Sequence, residues 1–118
     1  MKFEANIPIY LQIIEEIKRR IIIGEYKPGG KLPPVRELAL SFGVNPNTVQ
    51  RAFGELERDG LVYSERTSGR FIADDPEKIR GLRETVLVRK TDAFLEDMSR
   101  YGYDEESVLT YINSRKKV

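Results

Sequence analysis

The chain has 118 residues, of which 20 are lysine or arginine and 19 are aspartate or glutamate, so it has room for one small domain with an extension and is not a polycation. It contains no cysteine and no histidine, which excludes disulfides and thiolate metal sites and removes the commonest general base. No apolar run approaches the roughly 20 residues that span a bilayer, and the first residues do not show the pattern expected of a signal peptide. We therefore expect a cytoplasmic protein without a membrane partner, a metal site or a cofactor.

The first predicted element is a helix from Pro8 to Ile23, and Gly24 ends it. Apolar residues recur along it at helical spacing and form one stripe, which we interpret as core. The stripe consists of Tyr10, Ile13, Ile14, Ile17 and Ile21. On the polar side, Glu15 and Arg19 lie four residues apart, and so do Glu16 and Arg20, a spacing at which opposite charges attract each other across one helical turn.

The next segment is a turn rich in glycine and proline, GEYKPGGKLPP, which leaves room only for a very short strand at Lys31 and Leu32. Its last two prolines introduce a second helix, Val35 to Phe42, and Gly43 ends that helix. A tight link then leads into a third helix. Two short helices joined by a turn of this length indicate a helix-turn-helix.

The third helix lies in the run GVNPNTVQRAFGELERDG, where Asn45 can cap it and Gly60 closes it. One face is an apolar stripe, and the other face carries the polar side chains of Asn45, Asn47, Thr48, Gln50, Arg51 and Arg58. Amides, a hydroxyl and a guanidinium can read base edges and hold phosphates, and the helix dipole attracts phosphate at the same end. The alternative is an ordinary solvated face, but the neighbouring elements favour DNA binding.

After Gly60 the apolar period changes from 3.6 to 2, and the runs LVYSE and RFIA predict two short strands. Between them lies a turn flanked by Arg66 and Arg70, so we interpret this region as a β-hairpin with a basic tip. A hairpin that merely caps the core is the alternative. Three helices followed by a hairpin predict a winged helix-turn-helix, a mostly α fold with a small β-hairpin, over residues 1–75.

Residues 76–118 predict two further helices, one from Pro76 to Tyr101 and a shorter one that begins at Asp104 and ends in the basic run up to Lys117. Two helices cannot enclose a metabolite pocket of the usual size. Their apolar stripes need a partner, and the simplest partner is the same region of a second copy, which gives a twofold homodimer. The alternative is that both helices fold back on their own winged domain.

A resemblance to a known family rests on three runs in the right order and spacing: PIYLQIIEEIKRRIIIGEYKPGGKLPPVRELA, GVNPNTVQRAFGELERDGLV and SGRFIA. Together they resemble the DNA-binding domain of GntR-type bacterial transcription regulators and cover about residues Pro8 to Ala73. The NPNTV run and the short C-terminal region are most similar to the YtrA-type branch.

This resemblance implies which residues contact double-stranded DNA. The arginine of the R-E-L-A motif is Arg36, whose alternative role is a surface ion pair with a glutamate such as Glu37 or Glu57. The wing glycine is Gly69, which would approach the minor groove with Ser68 and Arg70 beside it. The contacts implied for the recognition helix fall on Asn45, Asn47, Thr48, Gln50 and Arg51. Gln50 can bond adenine, and Arg51 can pair with guanine or with a phosphate.

Two positions depart from the family pattern. Pro34 stands where many relatives have a serine, so the capping box with Glu37 is missing. Gly54 lies inside the recognition helix and should cost roughly 1 kcal/mol relative to alanine. Neither departure removes an implied contact.

We therefore expect a DNA-binding transcriptional regulator, a repressor, that binds an inverted-repeat operator as a homodimer. The alternative from another class is a winged-helix module for protein–protein assembly, which should leave the outer face of the third helix apolar or acidic. An enzyme is disfavoured because the chain lacks histidine, cysteine and a phosphate-cradling glycine loop. The sequence names no small-molecule effector.

Overall fold

The computed structural model describes residues 1–116, and these form five helices and one two-stranded hairpin. In chain order the elements are α1 (Ile9–Ile22), α2 (Val35–Phe42), α3 (Pro46–Arg58), β1 (Val62–Glu65), β2 (Gly69–Ile72), α4 (Pro76–Ser99) and α5 (Glu105–Ser114). Three helices and a hairpin followed by a helical region match the predicted winged helix-turn-helix class. Lys117, the last lysine of the predicted basic end, and Val118 lie outside the described residues.

The core of the winged unit lies where α1 and α2 both pack against α3. The apolar stripes predicted from helical spacing supply it, because each helix buries the face that recurs every three or four residues. The buried residues of these helices are Ile13, Ile14, Ile17 and Ile21 of α1, Leu38, Ala39 and Phe42 of α2, and Val49, Ala52, Phe53 and Leu56 of α3. Each large side chain buried in this way contributes about 1.5–3 kcal/mol.

Specific end signals fix the turn between α2 and α3. Gly43 adopts the left-handed conformation with φ of 71°, which a side chain would strain. The Val44 amide then donates to the Ala39 carbonyl at 3.0 Å. Asn45 caps α3, because its side-chain oxygen accepts from the Asn47 amide at 2.8 Å. As expected from Pro34, the start of α2 has no side-chain cap.

The hairpin is an antiparallel pair in which Val62 faces Ile72 and Glu65 faces Gly69. The segment before α2 runs along its free edge: the Leu32 amide donates to the Arg70 carbonyl at 2.8 Å, and the Ile72 amide donates to the Gly30 carbonyl at 2.8 Å. The very short strand predicted around Lys31 and Leu32 is thus a bridge onto β2. The wing is therefore fixed along its length by backbone hydrogen bonds.

The chain divides into two compact units, of which the first is Met1–Gly81 and the second begins at Leu82. Helix α4 starts in the first unit and continues in the second, and the division between residues 75 and 76 stays a prediction. The helix ends at Ser99, two residues before the predicted end. In the second unit Asp104 caps α5 by accepting from the Ser107 amide at 2.8 Å.

None of the helices formed by residues 1–116 is both long enough and apolar enough to cross a bilayer.

Candidate nucleic-acid interface

The first two turns of α3 present polar side chains on the side away from the core. Asn47, Gln50 and Arg51 are exposed, and Thr48 is half-buried. The opposite face is fixed in place, because Val49 and Leu56 are fully buried. Had Asn47, Thr48 and Arg51 lain beneath other residues, the interpretation of this face as a binding surface would have failed.

One of the two polar groups of the Asn45 side chain is already bonded within α3. Its amide oxygen already accepts the Asn47 N–H at 2.8 Å, and its carbonyl accepts the Thr48 N–H at 2.9 Å. The bond to the oxygen leaves the side-chain NH2 group as the part that can donate to an external acceptor. Asn45 therefore shapes the start of α3 as well as standing at its exposed end.

Arg51 lies against α1. Its guanidinium carbon is 3.7 Å from the centroid of the Tyr10 ring, a close cation–π contact. Beside this pair is an open groove of about 310 Å³ that is lined by Ile9, Tyr10, Asn47, Thr48 and Arg51. The sequence pattern placed Tyr10 in the core stripe of α1, whereas the structure leaves it half-buried at the edge of the polar surface.

Arg36 is exposed in the first turn of α2. The alternative role considered for it was an ion pair with Glu37 or Glu57. Glu57 is instead bonded by Arg70 at 2.6 Å, and within residues 1–116 the Arg36 guanidinium has no ion-pair partner. Its charge is therefore not neutralised by a neighbouring carboxylate. This agrees with the DNA contact that the family resemblance implies for Arg36.

The wing arginine points back to the recognition helix. Nε of Arg70 donates to Glu57 Oε1 at 2.6 Å, and its guanidinium carbon lies 5.0 Å from the Phe53 ring centroid. Glu57 also accepts from the Ser64 hydroxyl at 2.8 Å. The Arg70 bond lowers the pKa of the Glu57 carboxyl, burial opposes that change, and the Ser64 bond adds to it. Arg70 thus joins β2 to α3.

The tip of the wing is exposed at Ser68 and Gly69. Gly69 has a φ of 110°, a conformation that favours glycine, and a Cβ added there would lie 3.1 Å from Lys31 Cε. The exposed Lys31 side chain therefore extends to the tip of the wing. Sequence reasoning missed this cation, because its neighbour Phe71 is 40 residues away in the chain and only the bridge between them brings it here.

Comparison with known proteins leads to the family that the sequence resembles. Residues 9–72 match the family model for "Bacterial regulatory proteins, gntR family". A Bacillus subtilis (strain 168) protein, the uncharacterized HTH-type transcriptional regulator YhcF, is 39% identical over 113 residues, which are 96% of this chain and 93% of that protein. The HTH-type transcriptional repressor YtrA of the same organism is 46% identical over 71 residues, 60% of this chain and 55% of the relative.

Two solved structures add to this. A GntR family transcriptional regulator from Listeria monocytogenes superposes with a TM-score of 0.90 at 35% identity and covers 97% of this chain and 100% of its own. The structure of AraR(DBD) in complex with operator ORX1 superposes with a TM-score of 0.58 at 36% identity over 61% of this chain and 93% of its own.

These relatives bear on the predictions made from the sequence. The predicted family and winged fold are confirmed, and the likeness to the YtrA-type branch is supported by the identity with YtrA. Membership in a family of regulatory proteins agrees with the expectation that the chain is not an enzyme. The chain belongs to the gntR family of bacterial regulatory proteins.

Proposed function

We propose that the chain is a sequence-specific DNA-binding regulator that represses transcription by occupying an inverted-repeat operator as a homodimer. One observation carries this proposal: α3 has its apolar face fixed in the core, while its N-terminal turns offer amides and a guanidinium outward. In a helix-turn-helix the recognition helix enters the major groove by that end. The wing would then lie in the adjacent minor groove.

The proposed roles follow from chemistry and exposure. Asn47, Thr48 and Gln50 would read base edges, since amides and hydroxyls match donor and acceptor patterns in the major groove. Arg36 and Arg51 would hold phosphates, which fix register. The full proposed contact set is Arg36, Asn45, Asn47, Thr48, Gln50, Arg51, Ser68, Gly69 and Arg70.

Within that set, Arg70 has a second task. Because its Nε bonds Glu57, it orients the wing relative to α3 before any DNA is present. Direct contact between Arg70 and DNA stays a prediction. By orienting the wing, Arg70 would also help to place Ser68 and Gly69, at the exposed tip, against the DNA.

The relatives support the choice of DNA over a protein partner. AraR(DBD) is described in complex with an operator, and YtrA is named a repressor. A module for protein–protein assembly should have left the outer face of α3 apolar or acidic, whereas the exposed residues of its first turns are amides and an arginine. A regulator of bacterial promoters would work in the cytoplasm, where the DNA is.

The homodimer is proposed from the surface of the last two helices. No residue of α4 is buried, although the helix has 24 residues. Large apolar side chains are exposed there and on α5: Leu87, Val88, Phe94, Leu109, Tyr111 and Ile112. Apolar surface of this kind favours association with a partner, and a second copy would pair like with like about a twofold axis.

The experiment that tests the function is selection of bound duplexes from random DNA with the full chain, combined with light scattering of the free protein. The expected result is enrichment of an inverted repeat with half-sites about one helical turn apart or more, bound by a dimer. Absence of any enriched sequence would overturn specific recognition. Enrichment of a single half-site by a monomer would overturn the dimer.

A further inference from the structure

Four arginine–aromatic contacts lie within the first unit, residues 1–81, and one of them differs from the others. Arg20 lies over Tyr26 and Phe42, with guanidinium-to-centroid distances of 5.9 and 5.1 Å, and Arg70 lies over Phe53 at 5.0 Å. Both of these arginines are also bonded to a glutamate, so their charges are neutralised within the fold. Their aromatic contacts are explained by packing.

The contact between Arg51 and Tyr10 is the shortest of the four, at 3.7 Å. Among the described residues 1–116, Arg51 has no carboxylate partner, and its side chain is exposed. The fold therefore fixes the plane of this guanidinium without neutralising its charge. Such an arrangement leaves a positioned cation ready for an external anion.

We infer that Tyr10 is a positioning residue that holds Arg51 as a clamp for one DNA phosphate beside the recognition helix. This inference rests on the proposed function, and it assigns a role in DNA binding to a residue of α1 that has none in the contact set above.

The chemistry of stacking explains how one residue can serve the other. Tyr10 covers a face of the guanidinium, and the N–H donors of arginine all lie at the edge of that plane. The donors therefore stay available for a bidentate contact with phosphate oxygens. Because the side chain is already ordered in the free protein, less rotamer entropy is lost when DNA binds.

The position of the pair favours a phosphate over a base. Asn47 and Thr48 occupy the N-terminal turn of α3, the part of a recognition helix that meets base edges. Arg51 lies one turn further along and is drawn sideways to the first turn of α1. The groove at this place has apolar walls from Ile9 and Tyr10 and a cation at its rim, which suits a deoxyribose and its phosphate.

The test is a double-mutant cycle on the full chain, with Tyr10→Leu, Arg51→Ala and the double variant. Binding is measured on the duplex selected from random DNA and on a shuffled duplex, over a series of salt concentrations. We expect Tyr10→Leu to weaken binding about fivefold on both duplexes. We expect it to have no further effect once Arg51 is alanine, because the two residues act as one unit.

A rescue variant separates the ring from the hydroxyl. Tyr10→Phe keeps the aromatic face, so its affinity and its salt dependence should stay close to those of the wild type. The slope of log affinity against log salt concentration reports the number of counterions released on binding. Arg51→Ala should reduce this slope by about one. Arg100→Ala, which removes an exposed positive charge just after α4, serves as the control and should leave both unchanged.

Three results would overturn the inference. Additive effects of Tyr10→Leu and Arg51→Ala would mean that the residues act separately. Equal losses in Tyr10→Phe and Tyr10→Leu would assign the contact to the hydroxyl. A loss in Arg51→Ala confined to the selected duplex and to one base pair would make Arg51 a base reader.

A measurement without DNA keeps this inference distinct from the proposed function. The side-chain protons of Arg51 should show a ring-current shift in the NMR spectrum of the free wild type and of Tyr10→Phe, and lose it in Tyr10→Leu. Absence of the shift in the wild type would overturn the pair itself. If the shift is present and no duplex binds, the proposed function fails and the phosphate clamp fails with it, while the contact between Tyr10 and Arg51 stands.

Discussion

Glu57 and Arg70 lie 13 residues apart in the chain, and a 2.6 Å hydrogen bond joins them. One belongs to the recognition helix and the other to the wing. Both side chains are partly shielded, with 32% and 26% of their surfaces exposed, so the pair is screened less than an ordinary surface pair. The bond therefore fixes the distance between the two surfaces that are proposed to enter adjacent grooves.

Glu57→Gln should loosen the wing and lower the free energy of unfolding by about 1 kcal/mol, because a charged acceptor is lost beside a partly shielded arginine. The folded pKa of Glu57 is lowered, so its contribution is present above the ordinary glutamate pKa and is lost as the pH falls below it. Urea unfolding measures the stability. Hydrogen exchange at the Leu32 amide, which donates to the Arg70 carbonyl, reports how often the wing opens.

The matched control is Glu55→Gln, since Glu55 pairs with the largely exposed Arg58 on the same helix. It should change the stability little. Equal effects of both substitutions, or unchanged exchange at Leu32 in Glu57→Gln, would contradict a special role for the pair.

Glu16 lies between two arginines of α1 and is bonded by both. Its carboxylate accepts hydrogen bonds from Arg19 at 2.9 Å and from Arg20 at 2.8 Å. The bond from Arg19 is the largest cause of its low pKa, burial opposes it, the bond from Arg20 adds to it, and the pKa falls from 4.5 to about 2. The predicted pairing of Glu16 with Arg20 is confirmed, and Arg19, which was predicted to pair with Glu15, also bonds Glu16.

Glu16→Gln should therefore lower stability at neutral pH by on the order of 2 kcal/mol. A lowered folded pKa means that the contribution is fully present above about 4.5 and is lost as the pH falls toward about 2. The wild type should thus lose stability through that window, while Glu16→Gln loses less. Urea unfolding from pH 6 to pH 3 gives the comparison, and Glu65→Gln, at an exposed strand position, is the control; parallel pH curves for wild type and Glu16→Gln would refute the assignment.

The sequence predicted the helices well, because their apolar residues recur at a period that the core enforces. Local end signals such as Gly43 and Asn45 also matched the structure, since caps depend on neighbouring residues alone. The parts of the site that it missed are contacts between distant residues. Nothing in the local pattern distinguishes Tyr10, stacked on Arg51, from a core aromatic residue.

The same limit applies to the wing. Its strands were predicted from their period of two, but the partner of Arg70 was not. A basic residue beside a turn is expected to point outward, and only the folded position of Glu57 explains why Arg70 turns inward. Pairing energies of this kind depend on tertiary geometry, which a linear pattern does not encode.

Arg36→Ala should weaken operator binding about tenfold without changing thermal stability. The side chain is exposed and has no ion-pair partner within residues 1–116, so its removal leaves no unpaired group behind. Loss of one phosphate contact should reduce the salt slope by about one. Fluorescence anisotropy at several salt concentrations measures both quantities; full affinity in Arg36→Ala, or a loss matched by Arg100→Ala, would remove Arg36 from the contact set.

Gly54→Ala should raise stability by about 1 kcal/mol, because the residue lies inside α3 and, apart from its chain neighbours and the backbone of its own helix, no atom is within 4 Å of an added Cβ. Operator affinity should stay unchanged, since the proposed contacts lie nearer the start of the helix. The control is Gly43→Ala, where the φ of 71° makes any side chain costly and stability should fall. A weaker operator complex in a more stable Gly54→Ala would show instead that DNA approaches this turn closely.

Leu87→Asp in α4 should convert a dimer into a monomer. Leu87 is 67% exposed and Phe94 is 48% exposed, and their spacing of seven residues places them on one stripe of the helix. A charge in that stripe would oppose burial against a second copy without disturbing a core to which the residue does not belong. Operator affinity should fall when the dimer is lost, because two linked modules bind DNA at a high effective concentration and separate modules do not.

Light scattering at micromolar concentration measures the oligomeric state. The control is Thr85→Asp, which lies on the opposite side of the same helix and should stay dimeric. A wild type that is already monomeric would refute the dimer and leave the two C-terminal helices to another partner or to the alternative in which they fold back. A Leu87→Asp variant that stays dimeric would move the interface away from this stripe, with the exposed apolar residues of α5, Leu109 and Ile112, as the next surface to substitute.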